Sequence, residues 1–328
     1  MSSNSWIESD ISGLEDYLFQ DLQNATLDVE VSYNGQSLCS ISGIISYNAL
    51  DVVISTKDED ELSEMYNALN CVGGIPLQVS AITAKSFLKS KKLISDTDFE
   101  KWFNSQINNK RVFLDTNVML NHLFSALELA KDVSLVNSTF EIPRLSILEL
   151  ERQANPKNKS KNSSSAVFQN GLKKRKALLA FGELLNLISK GSQPMPELPL
   201  DTLTSFSNIS GDGNTDAWIR REIKDRKLFL TRMQVVTFPI FLTFDLVNSI
   251  TAVAENIDTI YVSKIPNWEV NILKLNTKQV STFIVLLSIL FNEVSIVVNS
   301  KKSNLKGFWS GITTSDIVNK NIMVQAEN

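Results

Sequence analysis

The feature that most constrains this chain is an alternation of short apolar runs with helical stretches between residues 110 and 266. RVFLD, the start of STFEIPRLSILELERQA, PIFLTFD and TIYVSKI read as short strands. TNVMLNHLFSALELA, RLSILELERQA, ALLAFGELLNLISKG and DLVNSITAVAEN read as helices, and GDGNTDAWIRREIKDRK as a turn leading into one, with Pro143 near one helix start and Gly191 closing another. Strands that alternate with helices imply a parallel sheet covered on both faces. In such sheets ligands bind just beyond the carboxyl ends of the strands. Two aspartates occupy that place: Asp115 directly follows Val112-Phe113-Leu114, and Asp245 directly follows Phe241-Leu242-Thr243-Phe244. Either one alone is as readily a helix N-cap as a functional group. Two of them, joined by further acids, are harder to explain as caps.

Asp216 is the third acid. Ile219 and Ile223 follow it at i+3 and i+7, so Asp216 shares their apolar face, which is expected to turn toward the sheet, while Asp225 falls on the opposite side. A carboxylate on an inward face is costly unless something positive meets it. A cap or a helix-dipole partner is the plainer reading of the same position. Asp212, in the Gly211-Asp212-Gly213 turn, is the alternative ligand. Glu149 and Glu151 are not separated by periodicity, because the helix that carries them has apolar residues on several sides.

These segments resemble the motifs of PIN-domain nucleases, in order, over roughly residues 110–266. RVFLDTNVML resembles the first strand and helix start, with its hydrophobic-Asp-Thr-Asn-hydrophobic core. IPRLSILELERQ resembles the second acidic motif and maps it to Glu149 rather than Glu151. NTDAWIRREI resembles the third and maps it to Asp216. FLTFDLVNSITAVAENIDTIYVS resembles the fourth and maps it to Asp245. A Lys-rich insertion between the second and third motifs departs from the family pattern.

The resemblance implies a three-layer αβα domain with a parallel sheet, holding Mg²⁺ or Mn²⁺ through Asp115, Glu149, Asp216 and Asp245. It also implies hydrolysis of phosphodiester bonds to a 5′-phosphate and a 3′-hydroxyl, with RNA as the preferred substrate. Such hard ions favour carboxylate and water oxygens. A cation relieves the repulsion among clustered acids and activates a bound water. Thr116, Asn117 and Thr243 are expected to orient the carboxylates, with ordinary turn capping as the plainer alternative. His122 is the sole histidine, which excludes a histidine-rich zinc site and a nucleophilic triad, and it is expected to be structural. No G-x-x-x-x-G-K-[ST] is present. An aspartyl phosphatase is disfavoured because Asp115-Thr116-Asn117 has no second Asp two residues on. A nucleic-acid-binding scaffold with a degenerate pocket is the main competitor.

Charge is uneven. Residues 1–101 hold 16 acids and 6 bases; the rest holds 20 acids and 26 bases, so a net charge of -4 conceals an acidic front and a mildly basic body. A polyanion is therefore expected on the body, and a protein partner on the front. From Arg152 to Lys176 there are eight bases (Arg152, Lys157, Lys159, Lys161, Lys173, Lys174, Arg175, Lys176) and no acid. This stretch either grips a phosphate backbone or is a solvated loop. Arg220, Arg221, Lys224 and Arg226 suggest a second basic face, and Phe308-Trp309 either stack on bases or pack in a core.

The flanks complete an expected division: 1–106 a small α+β domain, 107–268 the PIN-like domain with its insertion at 155–176, and 269–328 a small α/β appendage. In the front, Ile7, Ile11, Leu14 and Leu18 recur at helical spacing, and Asn34-Gly35 marks a hairpin. A further strand is expected at IPLQVSAI and helices at EDELSEMYNALN and near Phe99 to Asn109. The appendage is read as a helix (TKQVSTFIVLLSILF), a strand (EVSIVVN) and GFWSGITTSDI. Two cysteines, Cys39 and Cys71, do not make a disulfide framework and are expected to be buried thiols. With no evident secretory signal and no apolar run of spanning length, the expected setting is cytoplasmic, off the membrane, with self-association open.

Overall fold

The computed structural model describes residues 7–9, 26–33, 36–44, 49–52, 68, 72, 77–83, 85–94, 96–124, 127, 139–154, 164–189, 191–195, 215–235, 238–264, 273–291, 293–298, 301–309 and 322–327. In chain order the elements are β1 (Ile7–Ser9), β2 (Thr26–Tyr33), β3 (Gln36–Ile44), β4 (Ala49–Val52), β5 (Leu77–Thr83), β6 (Ser86–Leu93), α1 (Phe99–Ile107), β7 (Lys110–Leu114), α2 (Thr116–Leu120), β8 (Thr139–Ile142), α3 (Arg144–Ala154) and α4 (Ser164–Ser189). They continue with β9 (Gln193–Pro194), α5 (Thr215–Arg232), β10 (Phe238–Thr243), α6 (Leu246–Ala254), β11 (Asp258–Lys264), β12 (Leu273–Asn276), α7 (Thr277–Leu290), β13 (Val294–Val298), β14 (Lys301–Trp309) and β15 (Ile322–Glu327).

The protein is mixed α/β. Its seven-stranded sheet has the order β6-β5-β11-β10-β7-β8-β9. The five strands from β11 to β9 run parallel. β5 and β6 add an antiparallel edge. Period-2 alternation explains how this sheet buries both faces. Val112, Leu114, Ile240 and Leu242 point one way, into a core shared with Val118 and Met119 of α2 and Leu179 and Ala180 of α4. Phe113 and Phe241 point the other way, against Ile219 and Ile223 of α5 and Ala252 of α6. The two most central strands are apolar on both sides for that reason.

A second sheet, β1-β15-β14-β13-β2-β3, is antiparallel throughout and is built from both ends of the chain. β4 and β12 pair separately. α7 is buried at eleven of its fourteen positions, which accounts for its apolar composition all round. It packs on β14 and α4. Its start is fixed by a capping box between Asn276 and Gln279. Gly307 of β14 passes so close that an added Cβ would lie 2.4 Å from Ser288 Oγ and 2.7 Å from the Ile289 nitrogen. Backbone cannot yield as a side-chain tip does. Gly307→Ala is therefore expected to lower stability by about 1–3 kcal/mol or more, read as a drop in melting temperature.

Several expectations are corrected. Sheet membership crosses the boundaries drawn at 106 and 269: β5 and β6 extend the central sheet, and β2–β3 and β13–β15 share the other. Strand pairing is set by partners distant in sequence, which composition does not reveal. Ile7–Ser9, expected to open an amphipathic helix, is a strand against β15, where pairing overrides local periodicity; residues 10–25 lie outside the described residues. The helix expected to run on from Thr116 stops after five residues. There the Asn121 side chain donates to the Asn117 carbonyl, and His122 takes a left-handed φ of 50°. The insertion is not a loop throughout, since residues 164–176 are the first half of α4. Residues 155–163 and most of EDELSEMYNALN lie outside the described residues.

Other readings hold. β2 and β3 flank Asn34-Gly35 with Tyr33 opposite Gln36. Gly191 has φ +98°, the left-handed conformation that ends α4, with its N–H on the Ile188 carbonyl and the Ser192 N–H on that of Leu187. Cys39 is buried, and burial pushes its thiol up to about 12; Cys71 lies outside the described residues. Among the described residues no helix is long and apolar enough to cross a membrane.

Candidate functional site

β7 and β10 are parallel neighbours, with Leu114 beside Leu242. After β7 the chain turns to β8 on one side; after β10 it turns to β11 on the other. The crevice between them is thus a topological switch point, where open α/β sheets bind ligands. Asp115 and Asp245 both stand there. Each is also a helix N-cap, so the plainer reading of them is true as well. Asp115 accepts the Thr116 N–H at 2.8 Å and Asp245 accepts the Asn248 N–H at 2.8 Å. Capping holds each carboxylate at the rim without excluding a further role.

Asp115 is 2% exposed. Its Oδ2 accepts three side-chain donors: the Thr243 hydroxyl at 2.5 Å, the Asn117 amide at 2.9 Å and the Asn248 amide at 3.2 Å. Oδ1 accepts the Thr116 N–H and retains lone-pair capacity. The donors are themselves held. Thr243 Oγ1 accepts the Asp245 N–H at 3.0 Å, and Asn117 Oδ1 accepts the Phe244 N–H at 2.9 Å. Thr116 donates its hydroxyl to Glu149 Oε2 at 2.7 Å, which ties the second acid to the first. Thr116, Asn117 and Thr243 thus all bond to acids of the site. Glu149 is half-buried with its carboxylate on the Thr116 hydroxyl, whereas Glu151 is exposed.

The acids act on one another. Burial pushes the Asp115 carboxyl up to about 7, its hydrogen bonds oppose this, and the charges of Asp216 and then Glu149 reinforce it. Asp216, half-buried on α5, is held above the usual carboxylate range by burial and by Asp245, against the pull of Arg220. Asp115, Glu149, Asp216 and Asp245 therefore share one electrostatic neighbourhood. Among the described residues, however, no three His, Cys, Asp or Glu side chains are gathered closely enough to cage an ion. The donor set fits a hard divalent cation that keeps several waters and takes one or two carboxylates directly. It does not fit a cage made wholly of protein ligands. Asp212 lies outside the described residues.

A raised carboxyl has a thermodynamic signature. The folded state holds the Asp115 proton more tightly than the unfolded chain, whose aspartates titrate near about 3.9. The associated stability is complete below that value and is lost as pH rises through about 7. In divalent-free buffer, the free energy of unfolding is expected to fall across that window by at most about 1.4 kcal/mol per pH unit for one proton, seen as a falling melting temperature. Removing the titrating group in Asp115→Asn should flatten the slope; an unchanged slope refutes the assignment to Asp115.

The basic residues divide. Arg152, Lys173 and Lys174 are exposed on α3 and α4. Arg175 donates to the Leu290 carbonyl at 2.7 Å, and Lys176 is half-buried, its charge acting on His122. Lys157, Lys159 and Lys161 lie outside the described residues. The second basic face is corrected, because most of it is engaged within the fold. Arg220 meets Glu255 at 3.2 Å, Lys224 meets Glu255 at 2.8 Å, and Arg226 meets Glu141 at 3.1 Å. Arg221 lies over the Trp218 ring. His122 is buried, and burial with the Lys176 charge pulls it down to about 4, so it is neutral at pH 7 and structural. The side chains of Phe308 and Trp309 lie outside the described ones.

Two residues of the site, Asn248 and Tyr261, were not singled out in the sequence, and a third, Arg220, was read there only as part of a basic helix face. Asn248 bonds Asp115, Arg220 acts on Asp216, and Tyr261 lies beside Thr243 on β11, where burial and the Asp245 charge raise its hydroxyl. The available signal was helical spacing: Asn248 is i+3 from Asp245, and Arg220 is i+4 from Asp216. Comparison with known proteins returns no matching family model, no matching curated protein and no matching solved structure.

Proposed function

We propose that the chain is a divalent-metal-dependent nuclease of the PIN type, with a three-layer αβα catalytic domain, cutting single-stranded RNA. The observation that carries this is the buried Asp115 at the β7/β10 switch point, fixed by three side-chain donors while the charges of Asp216 and Glu149 bear on it. Mutually repelling acids at a ligand crevice call for a cation. Asp115 would hold Mg²⁺ or Mn²⁺ directly, with Asp216, Asp245 and Glu149 bonding it or its waters. When bound, such an ion supplies an activated water and charge stabilisation at the phosphate.

The remaining work belongs to the chain. Thr116 orients Glu149, and Asn117 and Thr243 hold Asp115. The exposed Arg152, Lys173 and Lys174 are suited to a phosphate backbone, which they would hold without reading its sequence. RNA is preferred over DNA because of the PIN resemblance.

A degenerate scaffold that binds RNA without cutting it is the second reading, favoured by the open spacing of the acids. One experiment separates the two. Labelled single-stranded RNA is incubated with the full chain in Mn²⁺ and in chelator. Cleavage in Mn²⁺ alone, leaving 5′-phosphate ends, supports the nuclease. Salt-sensitive binding with intact RNA in both conditions rejects it in favour of the scaffold.

A further inference from the structure

The geometry points to Asn248 and Arg220 as a positioning pair that fixes both rim aspartates, an inference that rests on the metal-dependent reading above. Asn248 is the junction. Its backbone N–H donates to Asp245 Oδ1 at 2.8 Å, and its Nδ2 donates to Asp115 Oδ2 at 3.2 Å. One residue therefore touches the acids that end two neighbouring strands. An asparagine amide accepts at one end and donates at the other, so its partners decide which end faces which neighbour.

Arg220 supplies that orientation. A guanidinium only donates, so Asn248 Oδ1 must face Arg220 Nη1, which lies 2.5 Å away, and Nδ2 must then face Asp115. Arg220 is held in turn by Glu255, whose carboxylate accepts Nε at 3.2 Å. Both members are sheltered from water, Arg220 at 6% exposure and Asn248 at 2%. The strut runs Glu255, Arg220, Asn248, Asp115, from the end of α6 across α5 and back to the end of β7. It adds to the donors that occupy Asp115 Oδ2, while Oδ1, which accepts the Thr116 N–H, retains the lone-pair capacity a cation would use. Arg220 also places a buried positive charge on the α5 turn that carries Asp216.

The full chain is titrated with Mn²⁺ by calorimetry, as parent, Asn248→Ala and Arg220→Lys, with the melting temperature of each recorded. Outer partners of metal ligands typically change affinity about 10- to 100-fold, and that weakening is expected in both variants. Lysine keeps the charge but lacks the planar fork, so loss in Arg220→Lys marks orientation rather than charge. Parent-like affinity in both variants overturns the positioning role and leaves the metal reading standing. No Mn²⁺ uptake by the parent overturns the metal reading, and the inference falls with it. A second readout does not need the variants to fold. Asparagine-selective amide labelling of the metal-free parent should show Asn248 Nδ2 protons protected from exchange, and free exchange there removes the strut.

Discussion

Asp115→Asn is expected to lower Mn²⁺-dependent RNA cleavage by about 10³-fold, with Asp245→Asn close behind. Removing one preorganised electrostatic group from a site of this kind costs on the order of 10²–10³ in rate, and Asp115 is the group on which the other acids bear. Its Oδ2 accepts three side-chain donors and its Oδ1 a backbone N–H. An amide in its place must aim its NH₂ at one of those donor sets, so charge and orientation are lost together. Asp245 caps α6 and acts on Asp216, and its amide variant keeps an acceptor for the Asn248 N–H. Rates are compared on labelled RNA at saturating Mn²⁺, with melting temperature confirming the fold. Parent-like cutting by both variants removes the nuclease reading.

Glu141→Ala is expected to destabilise the fold by about 3–5 kcal/mol, toward the lower figure because Arg111 remains partly hydrated. Glu141 sits on β8, 1% exposed, between the guanidinium groups of Arg111 on β7 and Arg226 on α5. Its neighbours Phe140 and Ile142 face the opposite core, so this acid is the one β8 side chain of the three turned toward α5. Truncation leaves two positive charges close together with no acid between them. The midpoint of urea unfolding measures the effect. Glu141→Ala combined with Arg226→Leu should recover part of the loss, since replacing both partners of a buried pair by apolar groups is far milder than removing one. A midpoint shift that corresponds to less than about 1 kcal/mol in the single variant rejects the role given to this ion cluster.

Much of the central sheet was legible because its signals are local. Val112-Phe113-Leu114 and Ile240-Phe241-Leu242 are apolar at every position, and a strand buried on both faces has to be. Gly191 ended α4 where a left-handed residue was needed, and Asn34-Gly35 separated two strands that pair. The basic helix face was legible in composition but not in meaning. Arg220 and Arg226 look like solubilising charge until Glu255, Asn248 and Glu141 are found opposite them, and those partners lie 28 to 85 residues away along the chain.

The sequence by itself determined the α/β class, the ends of β7 and β10, and the presence of an acid at each, because periodicity and capping act within a few residues of the chain. Only the tertiary structure decided which strands are neighbours. It placed β7 against β10, joined both termini in one antiparallel sheet, turned Glu149 inward and Glu151 outward, and set Asn248 between two aspartates. Such choices depend on contacts between segments far apart in sequence, whose free energy is realised only when the whole core closes.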